Sequence, residues 1–318
     1  MNSPNSAAPD SYLHFDARLI EEAVLLRITG HPEERTFRRM RDRIYEIDDA
    51  EERERRFRQF HADWFLRLKL HRPLATAFHE QPLLMGKTRS GAVTSAASRQ
   101  DEGADLHGVR PQQDDAGDQR PVAVIKLRAN TLLDEAALLP FVRHELMHLV
   151  DMLDPGFGYE PLLPQSGFGS GHDNLIRERY RVLWDTWIDG RLERRGWTPP
   201  VVREKRWTQF VETFPFLGAE ALKTFTALYE SDSQTHRALV ALAVSPAAGG
   251  RRTDGKPQAG VCPLCRFPTY HFAVAADLPS AVLDEIASEH PGWQTDQGLC
   301  DQCAEIYRAR SSSRAYSV

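Results

Sequence analysis

Two histidines four residues apart, His144 and His148, can turn their imidazoles toward one point only if the backbone between them is helical. They lie in Phe141-Val-Arg-His-Glu-Leu-Met-His-Leu-Val150, with Glu145 directly after the first of them. On such a helix the two rings can converge on one metal ion, and the neighbouring glutamate reaches a water held there. The pattern is read as a catalytic zinc site, with Glu145 as the catalytic residue and His144 and His148 as two of the ligands.

Cysteine usage is the second constraint. The four cysteines occur only as Cys262-Pro-Leu-Cys265 and Cys300-Asp-Gln-Cys303. Two C-x-x-C pairs suit tetrahedral thiolate ligation of a structural zinc ion better than two disulfides. A redox dithiol would need one pair only.

The 318 residues suffice for one large domain and a small one. The formal charge of -5 is spread through mixed-sign runs, which gives no global signature of nucleic-acid binding. Met1-Asn-Ser-Pro-Asn-Ser6 is polar, and no stretch has the length of a membrane span, so a cytoplasmic protein is expected.

Residues 1–14 read as a flexible tail. Residues 15–80 read as helices, with Leu19, Ala23, Val24 and Leu26 as one apolar stripe. Phe37, Met40, Ile44, Tyr45 and Ile47 recur at helical spacing through a charged stretch, and Phe57, Phe60, Trp64, Phe65 and Leu68 continue the pattern as core. Residues 88–120 are Ser/Gly/Asp/Gln-rich and poor in large apolar side chains, which predicts a mobile surface insertion. Pro121–Arg128 reads as a strand, and Asn130 or Thr131 as the cap of the helix that carries the histidines to Asp154. Asp173 or Asn174 is the expected cap of a second long helix ending near Gly196. Further helices are expected at 203–213, 217–230 and 233–244. A linker at 247–260 then leads to a module at 261–310 and a tail at 311–318. The fold class expected is mainly α (α+β), with residues 15–246 as the larger domain.

Strand, short turn and metal-binding helix in this order resemble the zincin metallopeptidases. That resemblance implies a small sheet, a zincin-like core, and an edge strand that receives a substrate peptide by β-addition. Whether Val122–Leu127 is that edge stays open at the level of sequence.

A catalytic zinc needs a third protein ligand. On the second helix, Glu178, Asp185 and Asp189 fall among Leu175, Val182, Ile188 and Leu192 on one face. Carboxylates in an apolar stripe are costly unless something pairs with them. Asp185-x-x-x-Asp189 resembles the E-x-x-x-D helix of gluzincin peptidases. The resemblance implies Asp185 as third ligand and Asp189 as the acid that hydrogen-bonds a ligand histidine. Trp184-Asp-Thr-Trp-Ile-Asp189 also looks like a segment of predicted bacterial metallopeptidases, which allows the two roles to be exchanged. Rival ligands are His172, which resembles the downstream histidine of SprT-type proteases, Asp154 at metzincin spacing, and Glu178. Asp151 shares the face of the histidines, either as an acceptor for one of them or as an exposed acid.

Cys262–Val274 reads as a knuckle running into a strand, and Cys300–Arg310 as a second pair opening a helix. A further helix is expected at about 279–289. The arrangement resembles a zinc ribbon or treble clef, with His271 and His290 as ordinary surface residues.

The function these features imply is that of a zinc-dependent metallopeptidase, a hydrolase of peptide bonds. In it zinc acidifies water, and Glu145 takes a proton from the water and passes it to the leaving amine. His172, Tyr159 and Tyr180 are candidate donors to the oxyanion. The partners implied are a peptide or protein substrate and a protein or nucleic-acid partner of the cysteine module, with no membrane. Two other readings stand beside it: a non-catalytic adaptor working through the cysteine module, and a SprT-like protease acting on DNA-associated proteins.

Overall fold

The computed structural model describes residues 12–108, 119–164, 170–244, 260–265, 268–269, 272–273, 275 and 278–315; the side chains of 170–172, 216, 260–261, 268 and 309–315 are outside the description. The chain is mainly α, of α+β class. It forms two units. The first comprises Met1–Pro161, Val182–Glu212 and Ala221–Leu239, and the second Leu162–Arg181, Thr213–Glu220 and Val240–Val318.

The first unit opens with β1 (Leu13–Phe15), α1 (Ala17–Ile28), α2 (Glu34–Tyr45), α3 (Ala50–Arg67), α4 (Arg72–His79) and α5 (Pro82–Lys87). There follow β2 (Ser90–Ser95), β3 (Gly103–His107), β4 (Val122–Leu127), α6 (Ala129–Leu133) and α7 (Glu135–Leu153). The strands make one sheet in the order β1-β2-β4-β3. Strands β1, β2 and β4 are parallel, with Leu13 opposite Gly91 and Ser90 opposite Val122. Strand β3 closes the edge antiparallel, with Gly103 opposite Lys126. Val122–Leu127 is therefore an inner strand, and the edge nearest it in the sheet is β3.

Residues 88–120 correct the expectation of a surface insertion. They supply two of the four strands. Ser90-Gly-Ala-Val-Thr-Ser95 and Gly103-Ala-Asp-Leu-His107 carry few large apolar side chains, and backbone pairing with the Val/Ile-rich β4 holds them. Residues 109–118 lie outside the description, as do 1–11, 247–259 and 316–318 of the expected tails and linker.

The core of this unit explains where α7 sits. Leu138, Val142, Leu146 and Leu149 of α7 join Leu19, Ala23, Val24 and Ile28 of α1, Trp64 and Phe65 of α3, Phe78 of α4 and Ile125 of β4 in one buried cluster. Burying each such side chain is worth about 1.5–3 kcal/mol. With that stripe turned inward, His144, His148 and Asp151 fall about half a turn away. The cap of α7 is Asp134, not Asn130 or Thr131: its carboxylate accepts from Ala136 N and Ala137 N, and the short α6 intervenes. Not every predicted apolar position is buried. Leu26, Met40 and Tyr45 are exposed.

Helix α8 (Ser170–Arg194) starts a few residues before the expected caps. Over residues 182–190, within the first unit, every residue is buried. The expected stripe is there a helix enclosed on all sides, because α7, α9 (Val201–Thr213) and α10 (Ala221–Tyr229) all contact it. Leu175 is exposed. Helix α11 (His236–Val244) completes the helices of this region.

The cysteine-bearing part of the second unit consists of β5 (Gly260–Val261), β6 (Pro268–Thr269), β7 (Phe272–Ala273), α12 (Ser280–Glu289), β8 (Leu299–Cys300) and α13 (Asp301–Ala315). β5 pairs with β6 and β7 with β8, both antiparallel. Helix α13 continues through 311–315, where a tail was expected. Val282, Ile286, Leu299, Ala304 and Tyr307 pack with three of the cysteines into a small core. Among the described residues no helix is long and apolar enough to cross a membrane.

Candidate functional site

Helices α7 and α8 bring the predicted residues together in the first unit. His148 Nε2 lies 3.1 Å and His144 Nε2 3.5 Å from Asp185 Oδ1. Ligands about 2.05 Å from a tetrahedral zinc are about 3.3 Å apart, so both of these distances match an edge of such a shell. One ligand atom from each residue lies within 4.8 Å of the others, as a metal-holding group requires. Asp189 does something else. Its Oδ1 is 2.8 Å from His144 Nδ1, which leaves Nε2 of that ring for a metal.

The electrostatics follow from this packing. Burial opposes charge on His144, but hydrogen bonds to Asp185 and Asp189 outweigh it and raise its pKa to about 10. Burial would raise Asp185, and the two histidines overcome it and hold the carboxyl well below its usual range.

Sequence reasoning missed one residue of this cluster. Arg206, on α9, donates from Nε to Asp189 Oδ2 at 2.8 Å and from Nη1 to Asp185 Oδ2 at 2.9 Å. All three side chains are largely buried. Removing one partner of a buried pair of this kind costs about 3–5 kcal/mol. The available signal was the same as for the aspartates. Arg206 precedes the fully buried Phe210 by one helical turn, so a charge sits on the buried face of α9.

Glu145 points to the sheet. Its Oε2 accepts from Ala104 N of the edge strand β3 at 3.0 Å. Gly103 makes the approach possible: it has φ +155°, and a Cβ there would come within 3.3 Å of Glu145 Oε2. Leu106 N, also turned off the sheet, is capped at 2.7 Å by Asp105 Oδ1. In antiparallel pairing the carbonyl of a residue faces the same side as its N–H, so Ala104 and Leu106 present their carbonyls along the edge that no strand among the described residues pairs with.

The rival residues have other partners. Asp151 is buried and accepts from Trp184 Nε1 at 2.7 Å and from both Nη atoms of Arg191. It thereby fixes Trp184, whose ring meets that of His148 edge-on at 4.5 Å. Asp154 caps α7 and accepts from Gly156 N. Glu178 is exposed and forks with Arg181. The side chain of His172 lies outside the description, and Tyr180 is buried in the second unit. Tyr159 packs on Trp184 and His236 with ring centroids 5.5 Å away from each. Burial first, and Asp105 second, raise its hydroxyl pKa.

In the second unit the four cysteines form a cluster that could hold a metal ion. Sγ of Cys262 is 3.9 Å from that of Cys303, and Sγ of Cys265 is 3.8 Å from that of Cys300. A zinc ion about 2.3 Å from each of four sulfurs places them about 3.8 Å apart. None of the four is in a disulfide. Backbone N–H groups of Cys300 and Cys303 point at Cys262 Sγ and Cys300 Sγ. Burial raises the Cys262 thiol, but amides of Cys265, Cys300 and Leu264 bring it down to about 7. Burial and the neighbouring thiols push Cys303 up. His290 ends α12, and His271 lies outside the description.

No family model, curated protein or solved structure matches this chain.

Proposed function

We propose that the chain is a zinc-dependent metallopeptidase with a second, structural zinc in its cysteine module. The reading is carried by one observation: His144 Nε2, His148 Nε2 and Asp185 Oδ1 converge at ligand spacing, one residue from a glutamate that reaches the free edge of a sheet. His144, His148 and Asp185 would hold the catalytic ion, and Asp189 orients His144. Zinc bound there supplies a Lewis acid and lowers the pKa of water toward neutrality.

The chain's own residues account for the rest. A substrate peptide pairs with the outward carbonyls of Ala104 and Leu106 and extends the sheet by one strand. Its scissile bond then lies beside Glu145, whose present acceptor contact with Ala104 N it exchanges for water. Glu145 Oε2 takes the water proton and returns it to the leaving amine. Trp184, held by Asp151, walls off one side of His148 and limits water there.

The test is hydrolysis of a mixed peptide pool by the wild type and by Glu145→Gln at matched zinc content. The wild type is expected to cleave, and Glu145→Gln to keep its zinc and lose about 100-fold to 10,000-fold in kcat. Equal cleavage by both rejects this role for Glu145.

The closed shell of four sulfurs favours a second reading for the other unit, a recognition module for a protein or nucleic acid. If the chain bound only a cysteine-held zinc, it would act as a non-catalytic adaptor. Action on DNA-associated proteins, as in SprT-like proteases, would further require binding of the chain to DNA.

A further inference from the structure

Asp185 and Asp189 stand one turn apart on α8, and each divides its oxygens in the same way. Oδ1 of both faces the histidines, and Oδ2 of both accepts from Arg206. Gln209 Oε1 accepts from the same Nη1 at 2.7 Å, so the guanidinium is held by three groups. Two neighbouring carboxylates cannot stay buried and ionised without a cation beside them. An arginine keeps its charge under all folding conditions, and its planar fork suits a bridge across two acids.

We propose that Arg206 is the internal counter-cation of the metal site, neutralising Asp185 and Asp189 from the side away from the histidines whether or not a metal is bound. This rests on the reading that His144, His148 and Asp185 bind zinc. Two consequences follow from the geometry. With Oδ2 engaged, Asp185 offers the metal one oxygen, and it is the oxygen nearest both histidines. In addition, Arg206 and the metal neutralise the same acid pair, so each contributes less in the presence of the other. The two are thermodynamically coupled, which a cycle can measure.

The experiment uses the full chain, stripped with a chelator, then unfolded by heat with and without excess zinc at one pH. Wild type, Arg206→Met and Arg206→Lys are each compared with the same chain carrying His148→Ala, which subtracts the zinc held by the cysteines. The His148-dependent zinc shift in Tm is expected to be about twofold larger or more in Arg206→Met, and close to the wild-type value in Arg206→Lys. If Arg206→Met folds only when zinc is added, that is the limiting case of the expected result. Equal shifts in wild type and Arg206→Met would overturn the proposal and reduce Arg206 to an ordinary ion pair. A smaller shift in Arg206→Met, or a chain unfolded with and without zinc, would overturn it as well. Absence of any His148-dependent shift in the wild type would instead overturn the metal reading on which it rests.

Discussion

Single side chains set the position of Glu145. Gly103 leaves just enough room for its carboxylate against the edge strand, with a positive φ that disfavours any side chain. Gly103→Ala is expected to displace Glu145 while leaving the ligands alone. The predicted result is a drop in kcat/KM of roughly tenfold to a hundredfold at unchanged zinc content. Zinc loss on this change would show that β3 supports the ligands and not only the base. The metal-free chain also carries a pH signature. His144 titrates near 10 when folded, against about 6.5 in an unfolded chain, so its stabilisation is complete below about 6.5 and is lost as pH rises toward 10. His61, His71 and His236, lowered by burial, have the opposite sign: their contribution is present above about 6.5 and lost as pH falls. In chelator, wild-type Tm is expected to fall between pH 7 and pH 10 more than that of His144→Gln. Parallel curves would count against the His144–Asp185–Asp189 cluster.

At the scale of elements, α8 brings the acids to α7 and is itself locked by α10. Gly190 is the point of closest approach: a Cβ there would lie 1.8 Å from Tyr229 O, a backbone atom that cannot move aside locally. Gly190→Ala is expected to cost about 3 kcal/mol, at the upper end for overpacking, in chemical denaturation. A change below about 1 kcal/mol would mean that the two helices separate easily. The same scale shows what could be read in advance. The histidine helix and the acid pair were legible because 3.6-residue periodicity and charge within an apolar run are local signals. β4 was legible from Val122, Val124 and Ile125. Its partners β2 and β3 were not, because small and polar residues there are held by a neighbour about 30 residues away in sequence for Ser90 opposite Val122, a relation that composition does not carry. Arg206 escaped for a related reason: its charge was visible, but its two partners lie on another helix.

The whole molecule combines two sites of different character. The cluster in the first unit has three ligand candidates and a glutamate beside them, the form of a site that keeps a position open. The cluster in the second has four sulfurs, three of them on buried cysteines, the form of a closed site that stabilises a small fold. On the proposed reading such a module folds around the ion its cysteines hold, so chelation is expected to unfold it at lower temperature than the first unit. The most direct measurement of the central claim is the zinc content per chain of the wild type, His148→Ala and Cys300→Ser, by elemental analysis after dialysis. Two, one and one are expected, with the ion left in His148→Ala held by the cysteines. One zinc in the wild type, unchanged by His148→Ala and lost in Cys300→Ser, would contradict that claim.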